Sequence, residues 1–260
     1  MTAAALAPRP GRAPVRRMLA RQTATELTLT LRRGESVLLT LVIPLGLLLA
    51  FTLLPIVSGH GVGRTTAARA AFFVPGVVAL AVMSTAFTGQ AIATGYERHY
   101  GVLKLLGATP LPRWVLLTAK TAGVCAVEIL QLALVLALGA GLGWRPHGSA
   151  LEVVALVVLG TAAFSGLGLL MAGTLRAEVT LAAANLVWFV LLVLGGVLFP
   201  VTYFGSAGAR VLEALPTAAL ADGLRAVLRD GAAAPTHDLV ALAAWAVATL
   251  ALAARSFRWE

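Results

Sequence analysis

Residues 150–175 read ALEVVALVVLGTAAFSGLGLLMAGTL. A helix rises about 1.5 Å per residue, so roughly twenty such residues cross the ~30 Å hydrocarbon core of a bilayer. This run has that length and is apolar along nearly all of it. Five more runs of the same kind lie at 36–58, 71–95, 120–142, 180–199 and 237–254. The 120–142 run continues an apolar stretch that begins near Trp114, so its leading turns, Lys120 included, are expected to stand in the cytoplasm. Pro44, inside the first run, is expected to kink that helix; neighbouring helices can satisfy the carbonyl it frees. The sequence therefore predicts an all-α integral membrane protein with six transmembrane helices.

Composition points the same way. The chain has 260 residues, of which 59% are hydrophobic and 12% charged. Soluble domains carry about one quarter charged residues, and half that amount leaves too little polar surface to cover a soluble fold. The net charge of +9 would suggest nucleic acid in a soluble protein. Here the basic residues sit in the short segments between apolar runs, where they read as topology signals facing anionic lipid. No nucleic-acid partner is expected. Fourteen of the twenty Lys and Arg residues fall on the side that carries both termini, which predicts cytoplasmic termini and a multi-pass protein. Arginine outnumbers lysine 18 to 2, a bias of GC-rich coding that suggests a bacterial plasma (inner) membrane.

Cys125 is the single cysteine and makes neither an intrachain disulfide nor a zinc site. His60, His99, His147 and His237 are far apart and outside the apolar cores, so no metal centre is expected. Residues 1–35 contain seven arginines and no apolar run suited to a secretory signal. They form a cytoplasmic N-terminal segment ahead of a single membrane domain, 36–260. Within it Leu19, Leu27 and Leu31, with arginines at both ends, predict an interfacial helix along the membrane face.

Two connections carry more pattern than a loop needs. In 95–113, GYERHYGVLKLLGATPLPR, Tyr96, Tyr100 and Leu103 fall at i, i+4 and i+7 on one face of a short helix, with Glu97 and Lys104 on an adjoining face. Gly107, Pro110 and Pro112 end it. In 200–236 a short helix ending near Leu215 precedes a second over 217–228, with Leu220, Leu224 and Leu228 as its apolar stripe. Asp222, Arg225 and Arg229 are polar there, and Gly231 is placed to cap the helix. This amphipathic helix is expected to fold back into the outer leaflet or to cap an external vestibule. Gly139 and Gly143 make a small-xxx-small pair suited to helix packing.

The 95–113 segment, followed by Ala119 and Lys120, resembles the same stretch in permeases of the type-2 ABC exporters of the daunorubicin-resistance kind. An acidic–basic pair there precedes a glycine, a leucine-rich turn, Thr-Pro, and a helix opening with a lysine. GGVLFP at 195–200, LPT at 215–217 and ADGLR at 221–225 are similar to that family as well, as are the six-span layout and the N-terminal helix. The resemblance implies a permease that forms the translocation pathway as a dimer, with an identical or related permease. Its implied partners are membrane lipid and two copies of a separate ABC ATPase, which would hold ATP and Mg. No cofactor is expected in this chain, and no Gly-x-x-x-x-Gly-Lys-Ser/Thr phosphate loop occurs in it.

By that resemblance Tyr96, Glu97, Arg98, Tyr100, Gly101 and Lys104 belong to a cytoplasmic coupling helix that docks on the ATPase. Thr85, Thr88 and Gln90 in the second span, with Asn185, Trp188 and Phe189 in the fifth, would line the dimer pathway. The residues alone read as interhelical contacts. Phe199, Pro200 and Tyr203 would form an outer gate; alone they read as helix termination and an aromatic belt.

Glu128 is an intramembrane acid that needs a partner: Gln131 at i+3, a cytoplasmic arginine or a substrate cation. The mainly aliphatic spans and the small external part favour a small amphipathic, drug-like or lipid-like substrate. An intramembrane serine protease would need a histidine near Ser165, and no span holds one. A self-contained secondary transporter or channel is the alternative reading, with Glu128 as the one acid suited to ion coupling.

Overall fold

The computed structural model describes residues 13–32, 34–54, 63–197, 201 and 205–256, and within these the chain forms helices and no strand. In order they are α1 (Val15–Arg32), α2 (Gly34–Leu53), α3 (Thr66–Val82), a π-helical stretch (Met83–Gly89), α4 (Gln90–His99), α5 (Val102–Gly107), α6 (Arg113–Gly141), α7 (Ala150–Thr174), α8 (Ala177–Leu194), α9 (Gly205–Leu212), α10 (Pro216–Leu228) and α11 (Thr236–Ser256).

Among the described residues five helices are long and apolar enough to cross a membrane: the continuous helix Thr66–His99, then α6, α7, α8 and α11. The expected first span appears as α2, which runs on through Pro44. Its apolar part, Thr40–Leu53, is shorter than the other five, and 55–58 lie outside the described residues. The helix Thr66–His99 has 34 residues, about 50 Å at 1.5 Å each. A hydrocarbon core of ~30 Å cannot hold all of it, so the helix projects well beyond the core.

Local chemistry sets the helix ends. The Thr65 hydroxyl accepts from the Ala68 N–H at 3.2 Å and caps α3. Pro216 opens α10, where a missing N–H costs nothing. Inside the bundle α3 is buried along almost its whole length and packs against α2, α6 and α10. Helix α7 packs against α11, α4, the π-helical stretch and α10. Small residues bring these backbones together: a Cβ at Gly166 would lie 2.8 Å from the Leu250 nitrogen of α11. Ile129, Leu186 and Val247 face outward, 71%, 65% and 70% exposed, as lipid-facing residues do.

Four expectations change. Helix α8 ends at Leu194, not 199, because Gly195 and Gly196 follow; Gly196 takes φ 69° and the Gly195 backbone lies against the Thr217 side chain. Gly139 and Gly143 do not share a helix face, since α6 stops at Gly141 and Gly143 has φ 88°. The segment around Tyr100 is not one helix: α4 ends at His99, Gly101 takes φ 75°, and α5 begins at Val102. Such a φ suits glycine, which has no Cβ to clash.

Helix α10 is the fourth. It is buried along nearly its whole length, Arg225 included, and packs on α3, α7 and α11 instead of lying on a leaflet. Its polar face is neutralised within the protein. Arg225 Nη1 donates to Asp222 Oδ1 at 2.9 Å, Nη2 donates to the Val197 carbonyl at 2.8 Å, and the guanidinium lies 5.3 Å from the Phe72 ring centroid. Burial pushes the Asp222 carboxyl above its ordinary value, and Arg225 pulls it back.

Replacing Arg225 by Met keeps the packing volume but leaves Asp222 and the Val197 carbonyl without their donor. Asp222 keeps 35% of its side-chain exposure, so solvent screening reduces the loss to about 2 kcal/mol. The purified variant is expected to melt about 5 °C lower in detergent; an unchanged melting temperature would show that the pair does not hold α10 in place.

Candidate functional site

Lys120 lies two turns into α6 and is 5% exposed. It is not bathed in solvent, because two carboxylates enclose it. Its Nζ donates to Glu26 Oε2 of α1 at 3.1 Å and to Glu97 Oε2 of α4 at 2.5 Å. Glu26 is held in turn by Gln22, whose Nε2 donates to Oε1 at 2.9 Å. Gly123 of α6 lets α1 approach, since a Cβ there would come 3.3 Å from the Glu26 Cβ. Three helices, one of them contributing a residue 94 positions away, thus meet on one ammonium. A buried ion pair offsets its desolvation only with such close geometry and further hydrogen bonds.

A cavity of about 430 Å³ opens beside this cluster, walled by α1, α2, the π-helical stretch, α4 and α6. Glu26, Glu97 and Lys120 line it with Thr85, Gln90 and Thr94, and Val124 and Val127 add apolar surface. Stretches of π-helix are frequent at functional sites. This one sets Thr85 toward α6 and runs into Gln90. A Cβ at Gly168 of α7 would lie 2.7 Å from the Phe87 carbonyl oxygen, so that glycine permits the close passage of the two backbones.

Polar side chains tie the wall together. Thr85 Oγ1 donates to Gln131 Oε1 at 2.8 Å, and Gln131 Nε2 donates to the Thr40 carbonyl at 2.8 Å. Ser165 Oγ donates to Gln90 Oε1 at 2.9 Å. Glu128 is 2% exposed and accepts from Thr161 Oγ1 at 2.5 Å. Its partner is therefore Thr161 of α7, across the helix interface; Gln131 is occupied elsewhere.

The other predicted site residues divide. Trp188 of α8 donates Nε1 to Ser84 Oγ at 2.9 Å, which brings the second and fifth apolar runs into contact. Asn185 Nδ2 donates back to the Leu181 carbonyl of its own helix at 2.8 Å, and Phe189 is exposed. Thr88 is half-buried. Phe199, Pro200 and Tyr203 lie outside the described residues.

Glu97 and Arg98 turn inward. Arg98 Nη1 donates to the Ala172 and Leu175 carbonyls at 3.3 and 3.1 Å, satisfying the C-terminal end of α7. Tyr96 and Tyr100 stack at 6.2 Å, and Tyr100, Lys104 and Leu105 face out, Tyr100 with 74% exposure. Leu103 is buried and anchors α5. The turn at Gly101 thus presents aromatic and apolar surface on a base fixed by Lys120 and Arg98.

Glu26 and Lys120 were missed as site residues by sequence reasoning, although each is unusual in its setting. Glu26 is the one acid in the first 33 residues, and Lys120 is one of two lysines in a chain of 18 arginines. Thr94, Thr161 and Ser165 carried no signal that a core threonine or serine lacks.

A family model described as ABC-2 family transporter protein matches residues 63–255. The match spans the cavity's π-helical and α4 walls, the exposed turn and Lys120, and begins after α1 and α2, which supply Glu26 and Thr40. No curated protein matches the chain.

Removing the ammonium while both carboxylates stay buried is expected to cost about 3–5 kcal/mol. Lys120→Met should therefore lower the melting temperature by more than 6 °C. Adding Glu26→Gln and Glu97→Gln to it should restore most of that loss, because the three charges of the cluster are then removed together. A triple variant as unstable as Lys120→Met would mean that packing around Lys120, not its charge, holds the three helices.

Proposed function

The chain belongs to the ABC-2 family of transporter proteins, and on that premise we propose that it is the membrane-spanning permease subunit of an ATP-binding-cassette exporter. Two copies, or this chain with a related permease, form the translocation pathway. Separate ATPase subunits bind ATP and Mg and drive it. In this reading α2 is a sixth span, α1 lies along the cytoplasmic membrane face, both termini are cytoplasmic, and α9 and α10 lie at the external side.

The observation that supports it best is the exposed turn at the end of the long helix Thr66–His99. Tyr96, Tyr100, Lys104 and Leu105 offer a surface of the kind that carries binding energy at protein interfaces, aromatic at its centre with charge at its edge. Behind it Glu97 and Arg98 connect to α6, α1 and α7. A push on the turn by a closing ATPase would reach the bundle through the Glu97–Lys120–Glu26 cluster without passing through a flexible linker. Gly101 supplies the sharp turn that sets Tyr100 outward.

For the pathway, Ser84 on the helix Thr66–His99 and Trp188 on α8 form a contact between the two helices proposed to line it, and Thr85, Thr88 and Gln90 are the candidate lining residues on the first of them. Phe189 and Asn185 face outward and are proposed to meet the second permease. The aliphatic outer faces and the cavity at the ion cluster favour a small amphipathic, drug-like or lipid-like substrate over a long polar polymer.

The deciding experiment is affinity purification of the tagged chain from its native membrane in mild detergent with an ATP analogue. A stoichiometric ATPase is expected, with one or two kinds of permease in the complex. Repeated recovery without an ATPase would favour the self-contained transporter or channel. In the reconstituted complex Tyr100→Ala should weaken ATPase association about tenfold and lower transport in step, a typical loss for an interface anchor. Membrane insertion and melting temperature should not change, because Tyr100 is exposed and outside the core; transport at the wild-type level in that variant would remove the turn from the coupling role.

A further inference from the structure

Helix α1 has two unlike faces. Gln22, Glu26 and Thr30 lie on the face that packs against α6 and are buried or half-buried. The opposite line, Arg17, Arg21, Ala24, Thr28 and Arg32, is exposed at every position. Steps of three and four residues keep these five on one face, and Arg16 is exposed beside them. None of the four arginines has an acidic partner among the described residues. The one acid of the helix, Glu26, is on the buried face and is taken by Lys120 and Gln22. The exposed side of α1 is therefore purely cationic.

Three observations select the partner. Helix α1 contains no aromatic residue, whereas surfaces that hold another protein are anchored by aromatic side chains; the turn at Gly101 has those instead. Leu29 and Leu31 are exposed close to Arg32, at 42% and 56%. A helix that shows leucine and arginine together suits the boundary between headgroups and acyl chains. The third observation is depth. Helix α6 has 29 residues, about 43 Å, so about 13 Å of it stands outside a ~30 Å core. Helix α1 meets it at Gly123, about 15 Å from its start. In the orientation proposed above, that is the headgroup level of the cytoplasmic leaflet.

We infer that the arginine stripe of α1 is a binding surface for anionic phospholipid of the cytoplasmic leaflet, its guanidinium groups donating to phosphate oxygens. A surplus of basic residues on one side of a membrane sets topology and does not by itself make a lipid site. Here the burial of Glu26 clears the outward face of its one acid, and the Glu26–Lys120 pair fixes the stripe to the bundle. Glu97 binds the same ammonium and stands at the base of the exposed turn. Headgroups that hold α1 in place therefore also steady the cluster behind that turn, and anionic lipid supports coupling. Only this effect on coupling rests on the exporter reading, because lipid binding to the chain requires neither an ATPase nor transport.

The test uses the full chain, purified in mild detergent with phosphatidylglycerol and phosphatidylcholine in equal amounts. Native mass spectrometry reads which lipid stays bound. Retention of phosphatidylglycerol is expected to exceed that of phosphatidylcholine at least about tenfold, since each arginine near an anionic headgroup contributes roughly fivefold. In nanodiscs, adding phosphatidylglycerol to phosphatidylcholine should raise the melting temperature by several degrees. About 1 M salt, which shortens the screening length to about 3 Å, should remove most of that rise.

A variant with Arg17→Gln, Arg21→Gln and Arg32→Gln should melt with the wild type in phosphatidylcholine, because all three side chains are exposed, and should lose both the lipid preference and the rise. Arg145→Gln with Arg210→Gln, also exposed and on the other side of the membrane in this reading, should lose neither. Equal retention of the two lipids by the unaltered chain would overturn the inference without recourse to any variant. So would a preference that survives in the stripe variant. A stripe variant that keeps its lipid preference and loses the co-purifying ATPase would assign the face to that protein and overturn the inference as well.

Discussion

An ammonium held between two carboxylates and almost wholly buried is the interaction on which the arrangement of this end of the bundle depends. Lys120 can be buried in α6 only because Glu26 and Glu97 reach it from α1 and α4. An unpaired charge at that depth would cost several kcal/mol. Any displacement of α1 or of the end of α4 therefore alters the solvation of all three groups together. The helix ahead of the first apolar run is thereby built into the membrane domain, and the exposed turn at Gly101 gains a stiff base. Arg98 adds a second attachment, because it closes the open carbonyls at the end of α7.

The same rule repeats through the bundle with neutral groups. Lipid tails are as apolar as leucine, so helix faces of leucine and valine have little reason to choose one neighbour over another. Choice comes from side chains that need a partner. Gln131 binds Thr85 and the Thr40 carbonyl, Glu128 takes Thr161, Ser165 takes Gln90, and Trp188 takes Ser84. Each pair crosses between helices and fixes their rotation. Small residues complete the choice where backbones pass closely, as Gly166 does beside α11. Helix α10 shows the outcome when the polar partners come from within. Asp222 and the Val197 carbonyl neutralise Arg225, so a helix with an amphipathic pattern becomes part of the core.

Most of the architecture could be read from the chain before its structure. The starts and ends of α6, α7 and α11 lie within a few residues of the apolar runs, since a helix crossing hydrocarbon must satisfy all of its backbone internally and so needs a continuous apolar segment. Reading failed where glycine or burial overrode the pattern. Gly195 and Gly196 stopped α8 early, Gly101 divided the segment containing Tyr100, and α10 went inside despite its charges. For the site, Thr85 and Gln90, which the resemblance assigned to a dimer pathway, lie in the wall of a cavity within one chain, whereas Glu26 carried no reading of its own and Lys120 none beyond its place in the leading turns of α6.

The sequence by itself determined that this is a helical, multi-pass membrane chain, because hydrophobic length along one segment is a local property and the bilayer sets its scale. Only the tertiary structure decided which charges are buried and what they pair with. Glu26 and Lys120 are 94 positions apart, and no spacing rule connects them. Their pairing follows from Gly123 letting α1 lie close on α6 and from the high cost of leaving either charge alone away from water.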